Sequence, residues 1–181
     1  MKDTHLKKLI LTALFTALTC AATMSIRIPT PGTSGYIHPG DALVILSGIY
    51  LGPAYGFFAA GVGSALSDLF GGYLLYAPAT LLIKGLIALL SAIVYRKIAR
   101  DNQLWKKYVG VVIGGIFDIA LVGGGYLAFE FVIYGSGAIA SLIPNLIQGC
   151  GGLVISLLLY SALSAVPEFK KLGNVNSQID V

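Results

Sequence analysis

Long apolar runs, broken by glycine, proline and a few charges, dominate the chain. Residues 9–26, 42–67 and 131–167 carry no charged side chain, and residues 69–95 carry only Lys84. A helix that crosses a bilayer needs roughly 17–25 mainly apolar residues. In lipid the backbone must also satisfy its own hydrogen bonds, which a helix does. The runs therefore predict an all-α integral membrane protein, a bundle of six transmembrane helices at about 7–26, 41–52, 53–70, 78–96, 108–131 and 140–166. Pro29, Pro31, Gly32, Gly35, Pro39 and Gly40 crowd the first connection and exclude a continuous helix there. Gly52 and Pro53 divide the next run in two, because proline breaks the hydrogen-bond ladder. The second span is short: tilted, partly re-entrant, or joined to the third by a tight turn. Gly71, Gly72 and Pro78 separate the third and fourth spans, and Tyr134, Gly135, Ser136 and Gly137 the fifth and sixth. Residues 1–166 then form a single membrane domain, and residues 167–181 a polar, disordered cytoplasmic tail.

Composition agrees with this pattern. Of 181 residues 56% are hydrophobic and only 11% charged, where a soluble domain carries about 25%. The net charge of +4 does not point to nucleic acid, because of where the charges lie. Lys2, Lys7 and Lys8 precede the first span, Arg96, Lys97, Arg100, Lys106 and Lys107 lie between the fourth and fifth, and Lys170 and Lys171 follow the sixth. Six spans put all three groups on one face and leave Arg27 alone opposite, so the positive-inside rule places both termini in the cytoplasm. Cys20 and Cys150 lie in apolar runs and read as packing residues, not a disulfide. The start of the chain resembles a signal peptide, but its uncharged run exceeds the usual 7–15 residues, so it reads as a retained first helix.

Charged groups at membrane depth are costly and are candidates for function. Lys84 lies in the fourth span, Asp118 near the middle of the fifth and Glu130 near its outer end. Asp118 and Glu130 are twelve residues apart, within about 120° of each other on a helix. Two readings stand for Asp118 and Lys84: a buried structural pair, or groups that touch a ligand. Asp41 reads first as a helix cap. Asn145 and Gln148, three apart and just after Pro144, share one helix face, where their amides must meet another helix or a polar ligand. Pro144 marks a kink or a helix start. Tyr36, Tyr73, Tyr76, Tyr126, Phe129, Phe131 and Tyr134 collect toward the outer side, as an interfacial belt or as stacking surfaces for a flat heterocycle. His38, in the first connection, reads as a loop residue or a ligand contact, and Tyr36, Pro39 and Asp41 sit where a lid over such a pocket would sit.

Ala13, Ala17 and Ala21 recur every four residues and let another helix approach closely, as do the pairs Gly48/Gly52 and Gly110/Gly114. The chain contains no phosphate-cradling G-x-x-x-x-G-K-[ST] loop, and Gly61-Val62-Gly63-Ser64 is not a nucleotide fingerprint. No His/Cys/Glu cluster has metal-ligand spacing. Bottom-up, three classes remain: a binding subunit, an ion-coupled carrier using Asp118 or Lys84, and an intramembrane enzyme built on Ser64 or Asp118.

Several segments together resemble the substrate-binding S component of energy-coupling factor (ECF) vitamin transporters. They are the alanine series on the first helix, Gly35-Tyr36-Ile37-His38-Pro39-Gly40-Asp41-Ala42, Leu51-Gly52-Pro53-x-Tyr55-Gly56, Gly63-Ser64-Ala65-Leu66-Ser67-Asp68, and Tyr76-Ala77-Pro78-Ala79-Thr80-Leu81-Leu82-Ile83-Lys84-Gly85. The likeness is strong from about residue 8 to 95 and mainly topological beyond. It implies a non-catalytic binding protein in a bacterial cell membrane. Such a protein captures a vitamin or precursor outside and docks on a transmembrane coupling subunit driven by two ATPases, which bind the ATP. The resemblance maps partner contact onto Ala13, Ala17 and Ala21 and the gate onto residues 27–40. It favours hydroxymethylpyrimidine or pyridoxine, with riboflavin or pantothenate open. The expected substrate-binding set is His38, Tyr76, Lys84, Asp118, Glu130, Asn145 and Gln148.

Overall fold

The computed structural model describes residues 2–175. Its helices are α1 (Lys2–Ser25), α2 (Asp41–Leu51), α3 (Pro53–Gly71), α4 (Ala77–Ile98), α5 (Leu104–Tyr134), α6 (Ile139–Ser164) and α7 (Pro167–Leu172). A single 3-10 turn, Gly135–Ala138, links α5 to α6. Three stretches are long and apolar enough to cross a bilayer: Leu6–Ser25, Ala77–Ile98 and Leu104–Ser164, the last holding both α5 and α6.

The architecture turns on α2. Its 11 residues extend about 16 Å at 1.5 Å per residue, about half of a hydrocarbon core of about 30 Å. It sits at the centre, touching α1, α3, α4, α5 and α6, and all but one of its residues are buried. Small residues permit this. Gly48 lies against the backbone of Ala88 on α4, and a side-chain carbon on Gly56 would fall 2.6 Å from the Gly48 Cα. In lipid, close backbone approach of this kind is what draws helices together. Gly52, at φ 84°, turns the chain from α2 into α3, and Pro53 opens α3, where its missing N–H costs nothing.

Because α2 occupies only one half of the bundle's depth, the residues before it fill the other half. They form a hairpin of two short strands, Ile28–Pro29 and Tyr36–Ile37, with Ile28 opposite Ile37 and Pro29 opposite Tyr36. The hairpin turn at Gly32 (φ 76°) rests on Gly137 and Ala140.

The opposite end is packed with rings. Tyr50 stacks on Tyr160 (centroids 6.0 Å apart), and Phe169 sets its edge against Tyr50 and Phe15 at 5.3 and 6.4 Å. The Tyr95 hydroxyl donates to the Gly173 carbonyl at 2.8 Å and lies 2.8 Å from the Tyr160 hydroxyl. The tail expected to be disordered is therefore helical over Pro167–Leu172 and docked through residue 175. Phe169 and Val175 give it an apolar anchor that its polar composition hides. Residues 176–181 lie outside the described part. The basic residues gather at this same end. Lys8 stands over the Tyr55 ring at 5.6 Å, while Arg96, Lys97 and Arg100 border a groove with Pro53 and Val175.

Ala13, Ala17 and Ala21 point outward, while Phe15, Thr19 and Thr23 form the buried face of α1. Two local expectations change. Pro144 lies inside α6, not at its start. Cys20 and Cys150 are free thiols, and Cys150 is exposed instead of packed.

Candidate functional site

Between the hairpin and the upper halves of α3–α6 lies a cavity with about 310 Å³ of empty space. Its walls are Gly35, Tyr36, His38, Asp68, Tyr76, Thr80, Tyr126, Glu130, Asn145 and Gln148. Only about 20 Å³ of it can hold the centre of a water molecule, little more than one water requires. The cavity is thus narrow and partly enclosed, with the hairpin residues Gly35, Tyr36 and His38 forming one of its walls.

Each wall is fixed by a polar contact. Glu130, 1% exposed, accepts the Tyr76 hydroxyl at 3.0 Å and the Ser141 hydroxyl on its other oxygen. Asp68, at the end of α3, accepts the Tyr36 hydroxyl through Oδ1 at 2.7 Å. Its Oδ2 is buried and has no hydrogen-bond partner. The Tyr126 hydroxyl donates to Thr80 Oγ1 at 3.0 Å. Behind Tyr36, the Arg27 guanidinium lies 5.0 Å from the Tyr36 ring and 5.7 Å from the Tyr73 ring. It donates to the Ser67 carbonyl at 2.8 Å. Arg27 therefore clamps the hairpin to α3 without lining the cavity.

The floor is a relay of buried groups. The His38 backbone N–H donates to Gln148 Oε1 at 3.0 Å, Gln148 Nε2 donates to Asp41 Oδ2 at 2.7 Å, and Lys84 Nζ donates to Asp41 Oδ1 at 2.5 Å. Asp41 and Lys84 are both wholly buried. The expected pairing of Lys84 with Asp118 is corrected here, since Lys84 pairs with Asp41. Asp41 is also not a capping side chain: Gly40 holds the cap position, and the Asp41 carboxylate is spent on Lys84 and Gln148. The reason is depth. The short α2 starts well inside the bundle, level with Lys84, seven residues into α4 and so about 10 Å below its start. Asp118, fully buried, lies beside Gly152 and Asp41 with neither oxygen hydrogen-bonded among the described residues.

His38 is held as a neutral ring. The Gly40 backbone N–H donates to His38 Nδ1 at 3.1 Å, which requires a bare nitrogen there. Burial pushes its pKa down to about 4; Asp41 opposes this, while Lys84 and Arg27 reinforce it.

Of the expected substrate-binding residues, the structure brings His38, Tyr76, Glu130, Asn145 and Gln148 to one cavity, together with Tyr36 of the lid segment. Lys84 and Asp118 lie beneath it and do not line it. Pro39 follows His38 in the covering loop, and Asp41 belongs to the floor. Sequence reasoning offers Tyr126 only as one of several outer rings and does not single out Asp68, Thr80 or Gly35 as wall residues. Asp68, a carboxylate closing an otherwise uncharged run, was the signal available.

Comparisons with known proteins identify the family and the fold. The family model for the S component of ECF-type riboflavin transporters matches residues 3–165, so the likeness extends well past residue 95. A Pyrococcus woesei protein, described as uncharacterized and in the gap 3′ region, is 35% identical over 135 residues, 74% of this chain and 85% of that one. The thiamine precursor transporter HmpT of Lactococcus lactis subsp. cremoris (strain MG1363) is 28% identical over 161 residues, 88% and 89% of the two chains. Two solved structures share the fold. The S component of a bacterial ECF transporter has a TM-score of 0.65 at 20% identity, covering 89% of this chain and 97% of that one. The biotin S component of an ECF-type ABC transporter has a TM-score of 0.63 at 19% identity, covering 88% and 91%. The chain is a helical membrane protein of the ECF S-component family, a substrate-binding subunit of vitamin transport and not an enzyme.

Proposed function

We propose that this chain captures hydroxymethylpyrimidine, or a closely similar small hydroxymethylated heterocycle, in the cavity beneath the hairpin and delivers it to a coupling subunit driven by two ATPases. The observation that carries the reading is the cavity itself: a narrow, ring-lined chamber whose polar groups come from five separate elements. The relative HmpT, described as a thiamine precursor transporter, favours the pyrimidine over pyridoxine, which none of the relatives named above is described as carrying.

In this reading the chain crosses the membrane six times with both termini in the cytoplasm, the hairpin and the short α2 together making the second crossing; the segregation of basic residues at the ring-packed end is its support. The cavity then opens outward. The hairpin, residues 27–40, is the gate, since the tight cavity must widen before a ring can enter. Tyr36 and Tyr76 supply stacking faces, and Glu130, Asn145, Gln148 and His38 supply polar contacts. Lys84 and Asp118 set the charge of the floor. The outward alanines Ala13, Ala17 and Ala21 leave a shallow strip on α1 for the coupling subunit. This chain binds no cofactor of its own; ATP belongs to the partner subunits.

The test is calorimetric titration of the purified chain with hydroxymethylpyrimidine, paired with uptake assays in cells with and without the ATPase module. Tight one-to-one binding, with uptake only when the module is present, is expected. Uptake by this chain alone would contradict the proposal.

A further inference from the structure

The cavity holds an imbalance of charge. Two carboxylates, Asp68 and Glu130, stand in its wall, and no lysine or arginine does. The nearest cations are committed elsewhere: Arg27 to Ser67 and two tyrosine rings, Lys84 to Asp41. The acceptors are unequal too. Both Glu130 oxygens already take a hydroxyl from the protein. Asp68 gives Oδ1 to Tyr36, while its Oδ2, in a residue 3% exposed, has no hydrogen-bond partner. Thr80 accepts from Tyr126, and its own hydroxyl proton faces the Asp68 carboxylate at longer range, which leaves Oδ2 with spare accepting capacity. An unpaired buried carboxylate oxygen is expensive to maintain, and a ligand N–H would relieve that cost.

We infer that the cavity selects ligands presenting an N–H donor or a positive charge, that Asp68 Oδ2 receives an exocyclic amino group, and that carboxylate-bearing vitamins are excluded. This rests on the proposed binding role of the cavity and narrows its substrate class. The discrimination is geometric and electrostatic at once. An amino group completes the hydrogen bonding of Asp68, a methyl group of the same size does not, and an anion meets two like charges that Arg27 and Lys84, held outside the wall, offset only from a distance.

The experiment compares three probes on the purified wild-type chain: hydroxymethylpyrimidine in its aminopyrimidine form, the analogue with methyl in place of the amino group, and biotin as a carboxylate vitamin. The amino compound should bind about 10–100-fold more tightly than the methyl analogue, and biotin should not compete. In Asp68→Asn, which keeps Oδ1 for Tyr36 and turns the other arm into a donor, that preference should collapse while the methyl analogue binds as before. The wild-type comparison requires no variant to fold. Equal affinity for amino and methyl compounds, or an unchanged preference in Asp68→Asn, would overturn the inference while leaving the binding role intact. Tight binding of biotin would do the same. If none of the three probes bound the wild-type chain, the binding role itself would fall, and this inference with it.

Discussion

The two ends of the bundle use the same residue type to opposite purposes. At the basic end Tyr50, Tyr95 and Tyr160 fill the interior, and the Tyr95 hydroxyl meets Tyr160 and the tail carbonyl of Gly173. At the other end Tyr36 and Tyr76 send their hydroxyls to carboxylates, and a cavity remains between them. The difference follows from α2. Where that helix is present, side chains pack against it and the end closes on itself. Where it is absent, a hairpin substitutes, and a hairpin cannot fill a helix-sized gap with apolar side chains. At the basic end the tyrosine hydroxyls of Tyr95 and Tyr160 meet each other; the cavity end leaves Asp68 Oδ2 without a close hydrogen-bond partner among the described residues. A binding site here is a helix left short.

The strongest way to break this comparison is at the boundary between the two ends. Lys84→Ala leaves the Asp41 carboxylate buried without its cation, and should destabilise the purified chain by about 3–5 kcal/mol in denaturant titrations. Replacing both, as Asp41→Asn with Lys84→Met, should recover most of that loss, because the uncompensated charge is gone. If the double variant were as unstable as the single ones, the pair would not be what joins α2 to α4.

Asn145→Ala sharpens the contrast from the cavity side. It should weaken ligand binding by about 1–3 kcal/mol and leave the unfolding midpoint nearly unchanged. Phe169→Ala is its mirror image at the ring-packed end. Loss of a partly buried ring should cost about 1–2 kcal/mol, less than a full core deletion, and speed proteolysis of the tail without altering ligand affinity.

Acid should act on the hairpin end. His38 has a folded-state pKa of about 4, below the ordinary imidazole value of 6.5. The open or unfolded state therefore binds more protons between those values, and stability of the closed hairpin falls as pH drops from about 6.5 to 4. Below about 4 both states are protonated and the decline ends. Hydrogen exchange of residues 28–40 across that range should show the loss, and His38→Asn should flatten it. The smallest effect on stability belongs to Ala17→Leu on the outward face of α1, within about 0.5 kcal/mol. Its consequence should appear only when the coupling subunit is added, as loss of co-purification.

Much of this was legible in the chain. Uncharged runs marked the helices, Gly52-Pro53 the break between α2 and α3, and the placement of lysine and arginine the two ends. Five of seven expected ligand-contact residues line one cavity: Tyr76, Glu130, Asn145 and Gln148 because their positions toward the outer ends of α4, α5 and α6 can be counted along the runs, and His38 because it lies in the connection that precedes α2. Depth was harder to read. Residues 27–40 look external by composition, so Asp41 appeared to be a surface cap and Lys84 seemed to need Asp118. The inward fold of the hairpin lowers Asp41 to the level of Lys84, 43 positions away along the chain, and no local pattern encodes that. The docked tail is illegible for a similar reason: one phenylalanine in a short polar segment carries no periodicity, yet it lands on two aromatic residues, Phe15 and Tyr50.

The most direct test of the account is equilibrium binding of hydroxymethylpyrimidine to the wild-type chain and to two variants, one from each end, Asn145→Ala and Phe169→Ala. The account predicts saturable one-to-one binding that Asn145→Ala weakens by about 10–100-fold and Phe169→Ala leaves alone. Binding lost with Phe169→Ala and untouched by Asn145→Ala would place the ligand at the wrong end of the bundle and contradict it.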